Sequence, residues 1–81
     1  MSKAFVNYKL STYEELDTLL AIEKKIIKMR LGIDEYDRKY TRKEIAAILK
    51  ISASKVRNIE ERALRKLSHP SRNTEVIRYE F

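Results

Sequence analysis

The stretch from Thr41 to Leu67, TRKEIAAILKISASKVRNIEERALRKL, constrains the fold of this chain more than any other. Thr41 is followed three residues later by Glu44, the spacing at which a hydroxyl and a carboxylate each hold a backbone N–H at a helix start. Ser52 offers a second N-cap shortly after Leu49. Apolar residues recur at Ile45, Ala46 and Leu49, and again at Val56, Ile59, Ala63 and Leu67, which is helical spacing in both halves. These signals predict two helices joined by a tight turn, a helix-turn-helix.

Such a motif needs a small residue where the helices cross and apolar residues that fix their angle. Counting Arg42 as the first position, the fourth is Ile45, the fifth Ala46, the eighth Leu49, the tenth Ile51, the fifteenth Val56 and the eighteenth Ile59. Each is apolar or small as required. The ninth, in the turn, is Lys50 where glycine is usual, and a left-handed conformation there costs about 1 kcal/mol. On a wheel of about 100° per residue, Val56, Ile59, Ala63 and Leu67 share one side of the second helix, with Leu64 at its edge. Ser54, Arg57, Asn58, Glu61, Arg62 and Arg65 lie opposite. The first outward residues of such a helix are those that enter a major groove. Arg57 has the fork to pair with guanine, and Asn58 the amide to pair with adenine. Arg62, Arg65 and Lys66 lie farther along, where phosphate is the expected target, although plain solvated charge is an equal reading for the last two. Glu60 borders the apolar stripe and reads as a structural ion-pair partner.

Upstream, Ser11 and Thr12 precede Glu14 and Glu15 at capping-box spacing, and apolar residues follow at Leu16, Leu19, Leu20, Ile26, Ile27 and Leu31. With no breaker between Thr12 and Leu31, one helix of about twenty residues is expected, ended by Gly32 as a left-handed cap. Residues 33–40 read as a polar loop and residues 1–10 as a flexible arm, leaving 11–81 as the domain. His69-Pro70 ends the long helix, and Ser71 or Asn73 caps an expected final helix carrying Val76, Ile77 and Tyr79. The expected fold class is all-α, a small domain of four to five helices.

Eighty-one residues, 43% hydrophobic, suit one compact domain and not a typical enzyme scaffold. Eighteen Lys and Arg against twelve Asp and Glu leave a formal net charge of +6, which favours an anionic partner, nucleic acid foremost. The charge is segregated. From Ser11 to Ile22 the charges are Glu14, Glu15 and Asp17; from Thr41 to Leu67 eight bases face three acids. There is no cysteine, no Gly-rich phosphate loop and a single histidine, His69, whose position suits a helix-end role. No enzyme, metal site or cofactor is expected. No stretch approaches the roughly 18 apolar residues of a membrane span, and the N-terminus lacks an apolar signal core. A soluble, intracellular protein is the expectation.

The segment YTRKEIAAILKISASKVRNIEERALRKLSHPSR resembles region 4 of the sigma-70 family of bacterial transcription initiation factors. KMRLGID and LDTLL resemble the segments that precede it, so the likeness runs from about Leu16 to Tyr79. Its most specific part is the ending ALRKLSHPSR. The resemblance implies a module that reads the −35 promoter element and packs a hydrophobic groove on the β-subunit flap of RNA polymerase. It implies base reading by Ser54, Arg57 and Asn58, backbone contacts by Arg42, Lys43, Lys55, Arg62, Arg65 and Lys66, and a flap groove of Leu16, Leu19, Leu20 and Ile26. A monomer is implied, with an anti-sigma factor or an activator as further partners.

The chain departs from the family where Ala53, Ser54 and Asn58 replace an Arg, a Glu and a Gln, and where Ser68 replaces a base. Arg57 matches, and Lys55 keeps a base. Leu20 and Ile22 stand where the family has a Thr cap and an Arg, and their simplest reading is as core. The chain is too short for the other sigma domains. It is either one domain of a longer factor or a small sigma-like regulator, for example phage-encoded. A decoy that occupies polymerase with little reading of DNA is the alternative from another class, and a dimeric repressor is a third.

Overall fold

The computed structural model describes residues 5–79. Its elements are a strand β1 (Tyr8–Leu10), a 3-10 helix (Glu14–Thr18), α1 (Ala21–Leu31), α2 (Arg42–Leu49), α3 (Ala53–Leu67) and a strand β2 (Val76–Arg78). The domain is therefore mostly helical, but among the described residues it has three α-helices and a two-stranded sheet, not four to five helices.

The expected long helix from Thr12 is broken. Leu19 and Leu20 are extended, with ψ of 161° and 152°, and α1 begins only at Ala21. Leucine has no side-chain acceptor, so half of a capping arrangement survives: Glu23 Oε1 accepts the Leu20 N–H at 3.0 Å. The segment before the break is held from outside the helix. Thr18 Oγ1 accepts from Arg72 Nε at 3.2 Å. Glu15 Oε1 accepts from the Asn73 N–H and, at 3.4 Å, from the Thr74 hydroxyl. These contacts, with Leu16 and Leu19 buried at 3% and 8% exposure, favour two short elements over one straight helix. The expected capping box at Ser11 or Thr12 does not form: Tyr13 holds the N-cap position without a side-chain bond, and the Thr12 hydroxyl accepts from the Glu14 N–H at 3.2 Å in a local turn. Ser11 instead closes the sheet by accepting from the Glu75 N–H at 2.8 Å.

Both ends of the chain depart from expectation. Residues 1–4 of the expected arm lie outside the described residues, but Tyr8–Leu10 form a strand, and the expected last helix is its antiparallel partner. The register pairs Tyr8 with Arg78, Lys9 with Ile77 and Leu10 with Val76. Val6, Tyr8 and Leu10 are buried while Phe5, Asn7 and Lys9 are exposed, the period-two alternation of a half-buried strand. Val76 and Ile77 are β-branched and fit the same geometry. Beyond α3, the imidazole Nδ1 of His69 accepts from the Ser71 N–H at 3.1 Å, which turns the chain toward β2.

α1 shares two apolar clusters. Ile27 packs with Val6, Tyr8, Leu10, Leu16, Leu19, Ala63, Leu64 and Leu67, while Ile26 and Met29 pack with Ile45, Ala46 and Val56. Gly32 ends α1 at φ 65°, as its position predicts. A Cβ there would stand 2.7 Å from the Arg38 carbonyl carbon, so glycine is required by space as well as by backbone angle. No helix among the described residues is long and apolar enough to cross a membrane.

Candidate nucleic-acid interface

The helix-turn-helix forms where its local signals put it. Thr41 Oγ1 accepts from the Glu44 N–H at 3.1 Å, and Glu44 Oε1 accepts from the Thr41 N–H at 2.8 Å. That backbone N–H, with Arg38 3.0 Å away, holds the Glu44 carboxyl down to about 2. Lys50 ends α2 at φ 58° in the left-handed region, so the turn takes the predicted shape without glycine. The Ile51 N–H closes back on the Ala46 carbonyl at 3.0 Å. Ser52 then caps α3 by accepting from the Lys55 N–H at 3.0 Å.

α3 is fastened along one side by Val56, Ala63, Leu64 and Leu67, each at 1% exposure or less. Glu60, fully buried in the same face, ties four elements together. Its Oε2 accepts from the Tyr8 hydroxyl at 2.7 Å and from Arg30 Nε at 2.9 Å, and its Oε1 from Arg42 Nε at 2.7 Å. Burial by itself raises the Glu60 pKa, but the bonds from Tyr8, Arg30 and Arg42 outweigh it and hold the carboxyl below the ordinary range. Burial, and then the Glu60 charge, push the Tyr8 phenol far above its usual value. Arg30 spends its other nitrogens on the carbonyls of Tyr40 and Phe5 at 3.0 and 3.1 Å. Glu60 is the structural ion-pair partner that its place beside the stripe predicts. Its partners Tyr8 and Arg30 carry no local signal of the role, because they are 52 and 30 residues away in sequence.

The opposite side of α3 is open. Ser54, Arg57 and Asn58 are exposed, as are Lys43, Lys55, Arg62 and Arg65, and among the described residues their side chains have no internal hydrogen-bond or ion-pair partner. Two expected phosphate contacts are engaged elsewhere. Arg42 is bound to Glu60, and Lys66 Nζ lies 2.9 Å from Glu23 Oε1. Of the seven basic residues named for DNA contact, Arg42 and Lys66 are thus engaged, and Lys43, Lys55, Arg57, Arg62 and Arg65 remain open.

The expected flap groove is rearranged. Leu16, Leu19 and Ile26 are interior at 3%, 8% and 0% exposure, because they fill the two clusters. Leu20 is 56% exposed and Ile22 39%, so neither is the core residue expected of it, since the break at Leu19–Leu20 turns both outward. Ile48 is 52% exposed. Ile22 precedes Ile26 by one helical turn and Ile48 follows Ile45 by less than one, so both border the cluster that Ile26 and Ile45 share.

A family model described as sigma-70, region 4, matches residues 16–69. The chain belongs to the sigma-70 region 4 family. Among curated proteins it is similar to the RNA polymerase sigma factor SigA of Microcystis aeruginosa and that of a Synechocystis strain, each 41% identical over 64 residues. The SigA of a Nostoc strain is 39% identical over 64 residues. Each alignment covers 79% of this chain, which spans 15% of the first two relatives and 16% of the third. The matched region holds α1, α2 and α3, whereas β1 and β2 lie outside it.

Proposed function

We propose that this domain binds promoter DNA of the −35 type through α3 and docks on the β flap of RNA polymerase. The observation that carries the first part is the division of α3. Its apolar stripe and Glu60 are locked into the domain, while Ser54, Arg57 and Asn58 stand together on the free side near its start. A helix held in this way can enter a major groove with its shape already set. Arg57 and Asn58 read bases, and Lys43, Lys55, Arg62 and Arg65 meet phosphates. Reading is narrow, because Ala53 and Ser54 are short, and polymerase supplies the rest of the affinity. For the flap, Leu20, Ile22 and Ile48 are the large apolar side chains exposed within the segment that the family model matches, and they replace the buried Leu16, Leu19 and Ile26 in this role.

Duplex binding should weaken steeply with salt, since each neutralised phosphate releases counterions. Arg57→Ala should remove about 1–3 kcal/mol of discrimination between sites, and Arg62→Ala should weaken all sequences alike. Binding without salt dependence, unchanged in both variants, would contradict the proposal. The short side chains of Ala53 and Ser54 also favour a second reading, a small regulator that occupies polymerase and reads little DNA. Parallel titrations with a flap peptide and a duplex separate the two, since such a regulator binds the peptide alone.

A further inference from the structure

The terminal strands meet α3 in a definite order. Tyr8 and Arg78 are cross-strand partners. The Tyr8 hydroxyl reaches Glu60, whereas Arg78 Nη2 lies 3.6 Å from Oε2 of Glu61. Consecutive residues are about 100° apart around a helix, so passing from β1 to β2 moves from the buried side of α3 toward its open side. Glu61 is one turn beyond Arg57 and three residues beyond Asn58. β2 therefore borders the face assigned above to DNA.

The ladder shows which backbone groups β2 presents. The Tyr79 N–H donates to the Asn7 carbonyl at 2.8 Å and the Ser11 N–H to the Glu75 carbonyl at 3.0 Å. Odd-numbered residues thus bond across the pair, and the N–H and C=O of Val76 and Arg78 point out from the open edge of β2. Among the described residues these four groups have no partner. The Arg78 side chain is 48% exposed, and its contact with the 41% exposed Glu61 is long. Such a surface pair holds its cation weakly. Glu61 also has Arg42 Nη2 at 3.9 Å, so it stays compensated when Arg78 turns away. On α3 itself, Arg57 and Arg62 flank Glu61 on the open side, which leaves the neighbouring helix surface basic.

We propose that β2 is a second DNA-contacting element, in which Arg78 and the edge N–H groups of Val76 and Arg78 take backbone phosphates beside the groove that α3 enters. The proposal rests on the reading of α3 as a DNA helix. It extends the footprint to a strand beyond the residues that the family model matches.

The test is a salt titration of duplex binding by the wild type, Arg78→Ala and Arg78→Lys, each checked for folding by circular dichroism. Loss of one phosphate contact should reduce the slope of log K against log salt by about 0.9. The affinity lost between 50 and 200 mM salt then shrinks by about 3.5-fold in Arg78→Ala, equally for all sequences, while Arg78→Lys keeps the wild-type slope. If Arg78 serves only Glu61, the melting temperature falls and the slope does not, which overturns the proposal. Neutral methylphosphonates placed one at a time in the duplex give a readout on the wild type itself. One or more sensitive phosphates should lie outside the positions lost in Arg57→Ala and Arg62→Ala, and their absence also overturns it. A wild type that binds no duplex removes the reading of α3 instead.

Discussion

Replacing Glu60 by Gln is expected to cost this domain a large share of its stability, and the geometry says why. Both carboxylate oxygens are in use, Oε2 by Tyr8 and Arg30 and Oε1 by Arg42. An amide of the same shape has one oxygen and one NH2. With the oxygen toward Tyr8 and Arg30, the NH2 meets the Arg42 N–H donor to donor. Arg42, 34% exposed, can turn to water, but Arg30 is 5% exposed and keeps its charge with only carbonyls as partners. Removing one partner of a buried ion pair costs about 3–5 kcal/mol. An 81-residue domain has a total of about 4–12 kcal/mol. Urea unfolding followed by far-ultraviolet circular dichroism measures the loss directly, and a 3 kcal/mol loss lowers the melting temperature by about 12–24 °C. Tyr8→Phe, which removes one bond to the carboxylate and no charge, should cost about 1.5–3 kcal/mol. A Glu60→Gln variant within about 1 kcal/mol of the wild type would refute the assignment of Glu60 as the tie between β1, α1, α2 and α3.

The pH dependence of stability should reflect Glu44. Its folded pKa of about 2 lies below its ordinary value of 4.5, so its contribution is complete above about pH 5 and fades as pH falls toward 2. Glu44→Gln should therefore flatten the acid limb of a stability-against-pH curve and leave its neutral limb parallel. Lys50→Gly should raise unfolding free energy by about 0.5–1 kcal/mol by relieving the left-handed turn, whereas Gly32→Ala should lower it by more than about 1 kcal/mol. Thermal melts in parallel check the opposite signs. Leu20→Ser and Ile22→Ser should change stability by no more than about 0.5 kcal/mol, while Ile26→Ala should cost about 2–5 kcal/mol. Chemical denaturation distinguishes the surface pair from the core residue.

The helix-turn-helix was readable because everything that makes it is local. Thr41, Glu44, Lys50 and Ser52 act within a few residues of themselves, and the α3 stripe follows one period. The outward placement of Ser54, Arg57 and Asn58 follows from that same period. What escaped reading depends on distant contacts. Nothing near Leu19 breaks a helix, and the break rests on Arg72, Asn73 and Thr74 across the fold. Val76, Ile77 and Tyr79 can face one side of a helix or form a strand, and β1 decides for the strand. A signal for β1 was present in the alternation of Val6, Tyr8 and Leu10 with Asn7 and Lys9, but three residues of strand make a faint pattern. Lys66 reads as a free base in sequence and is bound to Glu23, 43 residues away.

Base reading by α3 is tested most directly by selection from a random duplex library with the wild type and with Arg57→Ala in parallel. The wild type should enrich a short motif with its information in about two to three base pairs. Arg57→Ala should flatten that motif while keeping salt-dependent binding. No enrichment by the wild type, or the same motif at the same strength from Arg57→Ala, would contradict it.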